Sequence, residues 1–168
     1  MSDPDPDQTL KDKVKAAIVR TTAALRAQHP DHEIAGYALC TDDGLETLLY
    51  LGVAEQVLQS GADPDLLFTP TDWPYEAEAA AFDEADRLLR ERAAVASDLR
   101  RHVDNSFQTL VDALSEARAD GVFGEDVFLS VLSTDPSDYL EELEATSIQR
   151  LNADRLVQAR KRFIEKWS

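Results

Sequence analysis

The sequence predicts an α+β fold, in which a small, mainly antiparallel sheet of about three or more strands lies under a predominantly helical cover. Two observations carry this prediction. Most segments repeat apolar residues at the spacing of amphipathic helices, and only three short segments have the composition of strands. The first two strand segments are separated by a short turn, which favours an antiparallel pair. With 168 residues, the chain has the length of one domain.

The N-terminal part of the chain is predicted to form a short tail and a long helix. Residues 1–7 alternate Asp with Pro and are assigned to a disordered acidic tail, followed by a single α+β domain over residues 8–168. Apolar residues then recur at helical spacing, which predicts a helix over residues 8–28. Pro30 ends this helix.

The next segments predict a strand pair and a short helix. Residues 33–41 form an apolar run without polar alternation, which is typical of a strand covered on both faces. Asp42-Asp43-Gly44 is a turn sequence, residues 45–51 are the partner strand, and residues 53–60 are a short helix. Cys40, within the first strand, is predicted to be a buried, inert thiol.

The middle of the chain is predicted to hold a rigid loop and two helices. Residues 69–76 contain two prolines and two aromatic residues and form the loop. Two sets of apolar residues at helical spacing follow, and they predict two helices with a break near residues 94–98. The first set is Tyr75, Ala79, Phe82, Ala85 and Leu89, and the second is Leu99, Val103, Phe107, Leu110 and Leu114. Gly121 and Gly124 end the second helix.

The C-terminal third predicts one more strand and two more helices. Residues 127–133 are rich in β-forming residues and are bounded by turn signals. Asp135 and Pro136 fit the N-cap and the first position of the following helix. Asn152 is predicted to cap the last helix. The sequence leaves open where this third strand joins the sheet.

The charge of the chain is acidic and unevenly distributed. The net charge is −16, from 33 acidic and 17 basic residues. Residues 27–86 contain fourteen acids and neither Lys nor Arg. This balance argues against nucleic acid and anionic membranes as partners, since both are bound by basic surfaces. It predicts a docking surface for a basic protein, and the alternative is general solubility or adaptation to a salty cytoplasm.

The acidic stretch and its aromatic residues supply the candidate binding site. Aromatic side chains often dominate the energy of protein interfaces, so Trp73 and Tyr75 are expected to anchor a partner if they are exposed. The alternative is that both rings pack the loop onto the core, while Asp72 caps the following helix. The candidate binding residues are Asp63, Asp65, Asp72, Trp73, Tyr75 and Glu76.

A hydrolytic or metal-assisted enzyme is the alternative function. Asp72, Glu76 and Glu78 flank aromatic residues, and such surroundings can raise the pKa of a carboxyl group so that it acts as a general acid. No convergent set of acid, base and electrophile is recognisable, so no residue is assigned a catalytic role. A binding protein without enzymatic activity is therefore the main prediction.

No metal or cofactor is expected from the sequence. The chain has a single cysteine and three histidines, and these are spaced too irregularly for a zinc centre. It has no glycine-rich phosphate-binding motif. The acidic N-terminus lacks the apolar segment of a secretory signal, which predicts a cytoplasmic location. The oligomeric state is left open.

Four groups of residues resemble a known family in their order along the chain. They are the strand Gly36–Asp42, the loop Thr69–Glu76, the turn Gly121–Gly124 with Ser133 and Asp135 beyond it, and the segment Ser147–Asn152. Together they resemble the bacterial domain of unknown function 4303 family. The resemblance implies a compact α+β cytoplasmic protein without known catalytic residues. Some members of that family resemble immunity proteins that accompany secreted toxins, which agrees with a basic partner.

Overall fold

A four-stranded mixed sheet organises the structure, which is a computed structural model describing residues 3–60, 64–76, 79–135 and 137–168. The strands lie in the order β3-β2-β1-β4, where β1 is Ile34–Thr41, β2 is Leu48–Ala54, β3 is Tyr75–Glu76 and β4 is Phe128–Ser133. The pairs β1–β2 and β2–β3 are antiparallel. β4 joins β1 in parallel, because the long connection through two helices lets the chain cross over the sheet.

The described part of the chain contains six α-helices, which confirms the α+β class and its helical cover. They are α1 Pro6–Gln28, α2 Glu55–Ser60, α3 Asp83–Val95, α4 Leu99–Ala119, α5 Asp138–Leu151 and α6 Asp154–Trp167. Short 3-10 turns span Pro64–Phe68, Pro70–Asp72 and Ala79–Phe82. The break between α3 and α4 falls where the sequence predicted it. None of the helices in these ranges is long and apolar enough to cross a bilayer.

Both faces of the central strands are buried, as the continuous apolar run of β1 predicted. Tyr37 and Leu39 point into one core, which α1, α3 and α4 cover. Ala38 and Cys40 point to the opposite side, where the loop containing Trp73 and parts of α5 and α6 pack. Successive side chains of β1 point to opposite faces of the sheet, and both faces are covered. This explains why apolar and polar residues do not alternate along β1. Burial of Cys40 is confirmed.

Local hydrogen bonds shift two predicted boundaries near the N-terminus. The Asp5 side chain accepts the N–H of Asp7, so α1 begins at Pro6 and includes two residues that were assigned to the tail. β2 begins at Leu48 rather than residue 45, since the Asp42 carboxylate holds the preceding residues in a turn.

The predicted starts of three helices are wrong for physical reasons. Asp72 ends a 3-10 turn rather than capping a helix, and α3 begins only at Asp83. Ser137 caps α5 by accepting the N–H of Leu140, so Asp135 is not the cap, and Pro136 lies outside the described residues. Ala153 is the N-cap of α6. The Asn152 side chain instead bonds to the backbone of β4, where it covers the open edge of the sheet.

Candidate binding cleft

A cavity of about 620 Å³ opens at the carboxyl ends of β1 and β4. These are adjacent parallel strands, and residues of the loops that follow both strands line the cavity. Ligands commonly bind beyond the carboxyl ends of parallel strands. The start of α4 closes the third side. We call this cavity the β1/β4 cleft, and its polar and aromatic lining comprises Asp42, Asp43, Glu46, Arg100, His102, Asp135, Ser137 and Tyr139.

The loop after β1 forms a fixed rim of the β1/β4 cleft. Asp42 Oδ1 accepts the backbone N–H groups of Glu46 at 2.8 Å and Thr47 at 3.0 Å. Burial raises the pKa of Asp42, but these hydrogen bonds outweigh it and hold the pKa below its ordinary value. Leu45 has φ of 53° and a fully buried side chain. The loop thus keeps a left-handed residue in place by anchoring it in the core.

Asp86 on α3 supports the base of this rim. Its carboxylate accepts the N–H of Leu48 at 2.8 Å, at the point where the loop becomes β2. Asp86 is only 7% exposed, and burial raises its pKa to about 6, although the hydrogen bond from Leu48 and the charge of Arg90 act in the opposite direction. Its ionised form is therefore disfavoured in the folded protein.

Replacing Asp86 by asparagine should stabilise the protein at neutral and alkaline pH. The pKa of Asp86 is 3.8 in the unfolded chain and about 6 in the folded protein, so the folded state binds more protons between these two values. The stability that the protonated Asp86 contributes is therefore lost as the pH rises through about 6. Asp86→Asn keeps the acceptor for Leu48 without the buried charge. We expect its melting temperature to exceed that of the wild type by about 3 °C near pH 8. Near pH 4 the two should agree within about 1 °C.

The control for this effect is Asp83→Asn, which removes an exposed acid from the same helix. Its melting temperature, relative to that of the wild type, should not rise with pH. If Asp86→Asn raises the melting temperature equally at both pH values, the buried charge of Asp86 is not the cause of the effect. Scanning calorimetry of the three proteins supplies the comparison.

His102 ties α4 to the rim of the β1/β4 cleft. The ring is 6% exposed, with Nε2 at 3.2 Å from the carbonyl oxygen of Gly44 and Nδ1 at 3.3 Å from Ser106 Oγ. Since a carbonyl oxygen only accepts, Nε2 carries the proton in this contact, and Nδ1 accepts from the hydroxyl. Across residues 3–60, 64–76, 79–135 and 137–168, no three His, Cys, Asp or Glu side chains are grouped to hold a metal ion.

The β1/β4 cleft combines negative charge with apolar and aromatic surface. Among the described residues that line it, four carry carboxylates and one carries a guanidinium. The guanidinium is that of Arg100, whose Cζ lies 3.9 Å from the ring centroid of Tyr139. Leu99 is 65% exposed at the mouth, and Val95 is 84% exposed at the end of α3 nearby. Large exposed apolar side chains beside a charged cavity are typical of interaction sites.

Asp65, Asp72, Trp73 and Tyr75 of the predicted binding site do not line the β1/β4 cleft. Asp65 is in the first 3-10 turn, where its carboxylate accepts from Lys166 Nζ at 3.0 Å and from the Trp167 indole at 3.4 Å. The hydrogen bond from Lys166 lowers the pKa of Asp65. This acid of the predicted docking surface therefore bonds to the basic end of α6. Asp63 lies outside the described residues.

The aromatic residues of the predicted site serve the fold. Trp73 is 5% exposed, and its indole N–H donates to the carbonyl of Leu66 at 2.7 Å. Its burial favours the interpretation that it packs the loop onto the core. Tyr75 is half-buried, with its hydroxyl 2.8 Å from His32 Nδ1 and its ring tilted by 31° against that of His29, with centroids 4.4 Å apart.

One of the three carboxylates of the alternative enzymatic hypothesis is placed by the structure. Asp72 is exposed at the surface. Glu76 lies in β3 opposite Leu51, and its side chain is outside the description, as is Glu78. Neither Asp72 nor the buried Trp73 ring lines the β1/β4 cleft.

Sequence reasoning missed the β1/β4 cleft, although it recognised two of its parts. The turn Asp42-Asp43-Gly44 directly follows β1, and Asp135 lies two residues after the end of β4. Two strands that end in acidic residues are a signal for a shared site only when the strands are parallel neighbours. That pairing depends on where β4 joins the sheet, which local sequence does not specify.

The chain matches one family over most of its length. Residues 14–153 match the family model described as a domain of unknown function (DUF4303). The chain belongs to the DUF4303 family. This confirms the resemblance seen in the sequence, and it assigns no activity. Searches of the curated proteins and of the solved structures found no match.

The residues that carry the DUF4303 resemblance have structural roles in this chain. Gly36 lies directly under the Trp73 ring, where a side chain would collide with it. Gly121 ends α4 with φ of 84°. Asn152 covers the edge of β4. These DUF4303 landmarks thus maintain the fold, and the function of the chain must be argued from the β1/β4 cleft instead.

Proposed function

We propose that this protein is a non-enzymatic protein-binding module that receives a basic segment of a partner in the β1/β4 cleft. The observation that carries the proposal is the cleft itself, which is lined by four acidic residues and has exposed apolar residues beside it. An acidic cavity attracts a cationic segment over several ångströms, and the apolar mouth adds short-range contact area.

The position of the β1/β4 cleft supports it over the surface around Asp65 as the docking site. Asp65 already bonds to Lys166 and Trp167, so a partner would have to displace the end of α6. Asp43, Glu46 and Asp135, by contrast, are exposed at the cleft. The Asp42 hydrogen bonds hold the rim in one arrangement before binding, which reduces the entropy lost on association.

The physiological role we propose is that of a bacterial, cytoplasmic immunity-type protein that neutralises a basic toxin. The net charge of −16 suits fast association with a cationic protein. A toxin-like reading frame beside the gene would support this role, and its product would be the partner to use. Nucleic acid and membranes are not proposed as partners, because the charge repels both.

Removing the charge of the β1/β4 cleft should weaken binding of a basic peptide. The probe is a fluorescent hexa-arginine peptide, and the readout is fluorescence anisotropy. The triple variant Asp43→Asn, Glu46→Gln and Asp135→Asn should bind it at least about tenfold more weakly than the wild type, because the cleft loses three of the four negative charges that line it. Wild-type affinity should also fall between about 50 mM and about 300 mM NaCl.

A triple variant at the opposite end of the sheet controls for net charge. Asp31→Asn, Glu33→Gln and Glu55→Gln remove the same number of exposed charges from the acidic stretch, near a different cavity. This control should bind within about twofold of the wild type, since it leaves the cleft intact. Equal losses in both triple variants would refute the cleft as the docking site, and affinity independent of salt would refute electrostatic attraction.

A further inference from the structure

Arg100 lines the β1/β4 cleft beside Tyr139. It is the second residue of α4, its side chain is exposed, and its guanidinium carbon lies 3.9 Å from the ring centroid of Tyr139. Within the described residues, Arg100 makes no ion pair within 4.0 Å. The stacking contact on Tyr139 is therefore what positions it.

We infer that the cleft recognises an arginine of the partner, and that Arg100 holds in the free protein the place which that arginine takes. The inference rests on the proposed function and deepens it by naming the side chain that is bound. A planar guanidinium stacks on an aromatic ring. The β1/β4 cleft offers the Tyr139 ring for this contact. Its acidic rim attracts the cation from a greater distance, since the guanidinium nitrogens of Arg100 lie more than 4.0 Å from every described carboxylate.

The geometry separates arginine from lysine as the preferred ligand. A lysine ammonium is a compact, strongly hydrated charge that gains less from stacking on a ring. The acidic rim alone would attract both side chains, whereas the Tyr139 ring adds a contact that favours the flat group. Since Arg100 already uses this contact, the chain itself shows which cation fits over Tyr139.

Displacing Arg100 opposes the binding of an external arginine, so its removal should tighten binding. Arg100→Ala should raise affinity for hexa-arginine by about tenfold, because it exposes the Tyr139 ring and removes a like charge. The matched control is Arg101→Ala, which removes an equally exposed charge one residue further along α4. Arg101 lines the neighbouring cavity and should give a gain of only about twofold.

Two further comparisons isolate the ring. Tyr139→Leu should lower affinity for hexa-arginine by about tenfold and change that for hexa-lysine by less than about threefold, whereas Tyr139→Phe keeps the ring and should bind hexa-arginine like the wild type. When Tyr139 is replaced by leucine, Arg100→Ala should raise the affinity for hexa-arginine no more than Arg101→Ala does. Because Tyr139 is half-buried, thermal melting of each variant establishes that it is folded.

The outcomes distinguish this inference from the proposed function. Equal gains for Arg100→Ala and Arg101→Ala, or equal gains with arginine and lysine peptides, would overturn the arginine assignment while the cleft remains a docking site for cations. If the Asp43, Glu46 and Asp135 variant binds hexa-arginine as tightly as the wild type, the proposed function itself fails. A larger gain at Arg100, specific for arginine and dependent on Tyr139, supports the inference.

Discussion

Replacing Asn152 by alanine should destabilise the folded protein by about 3 kcal/mol, since buried backbone groups would lose their hydrogen bonds. Asn152 is 8% exposed, and its Oδ1 accepts the N–H of Leu129 at 2.8 Å. Its Nδ2 donates to the carbonyl of Leu129 at 2.8 Å and to that of Ile148 at 3.0 Å. The side chain thus replaces a neighbouring strand along the open edge of β4.

Urea unfolding of Asn152→Ala and Asn105→Ala tests this role. Asn105 is the other asparagine of the chain and is exposed on α4, so its replacement should change stability by less than about 0.5 kcal/mol. Similar small effects of both substitutions would show that the Asn152 hydrogen bonds do not hold the sheet edge. An edge that is opened in this way should also make the Asn152 variant more prone to aggregation.

A methyl group at Gly36 should destabilise the protein by about 2–3 kcal/mol, because it would overpack a filled part of the core. A Cβ at this position would lie 2.6 Å from Trp73 Cη2, 2.8 Å from Trp73 Cζ2 and 3.0 Å from a Val53 methyl group. The Trp73 ring cannot move away freely, since its N–H is bonded to Leu66 and its ring meets Phe128 edge-on.

A double-mutant cycle with Trp73→Phe identifies the cause of the Gly36→Ala effect. Phenylalanine lacks the two ring carbons that the new methyl group would strike, so the double variant should be more stable than the sum of the single effects by about 1 kcal/mol or more. Gly124→Ala is the control, because a Cβ there meets nothing within 4 Å and φ is not in the left-handed region. If the losses of unfolding free energy caused by Gly36→Ala and Trp73→Phe simply add, the new methyl group does not strike the Trp73 ring.

Helix and strand positions in this chain follow from local pattern, whereas their ends are set by individual side-chain hydrogen bonds that the pattern does not specify. The spacing of apolar residues predicted α4 and the break before it, since Asp98 caps that helix locally. Asp42 binds the backbone of its own loop, in agreement with its turn sequence, but the pattern did not show that this turn delays the start of β2 to Leu48. Asn152 differs from its local sequence signal, because its side chain binds a strand that lies 23 residues earlier instead of capping α6.

The β1/β4 cleft could not be predicted, because it is assembled from three separate segments. Asp42 follows β1, Asp135 follows β4, and Arg100 begins α4. They meet only because β4 joins β1 in parallel, which depends on the packing of α3 and α4 between them in the chain. The acidic bias was readable from composition, but composition does not say which acids share a cavity or that Asp65 is bonded to α6.

The most direct test of a cation-binding β1/β4 cleft is a map of the residues whose amide signals shift when the ¹⁵N-labelled protein is titrated with hexa-arginine. We expect the largest shifts in residues 42–47, 99–103 and 137–140, which surround the cleft. These shifts should shrink at high salt. Shifts confined to residues 64–76 and α6, or spread evenly over the acidic surface, would contradict the cleft as the docking site.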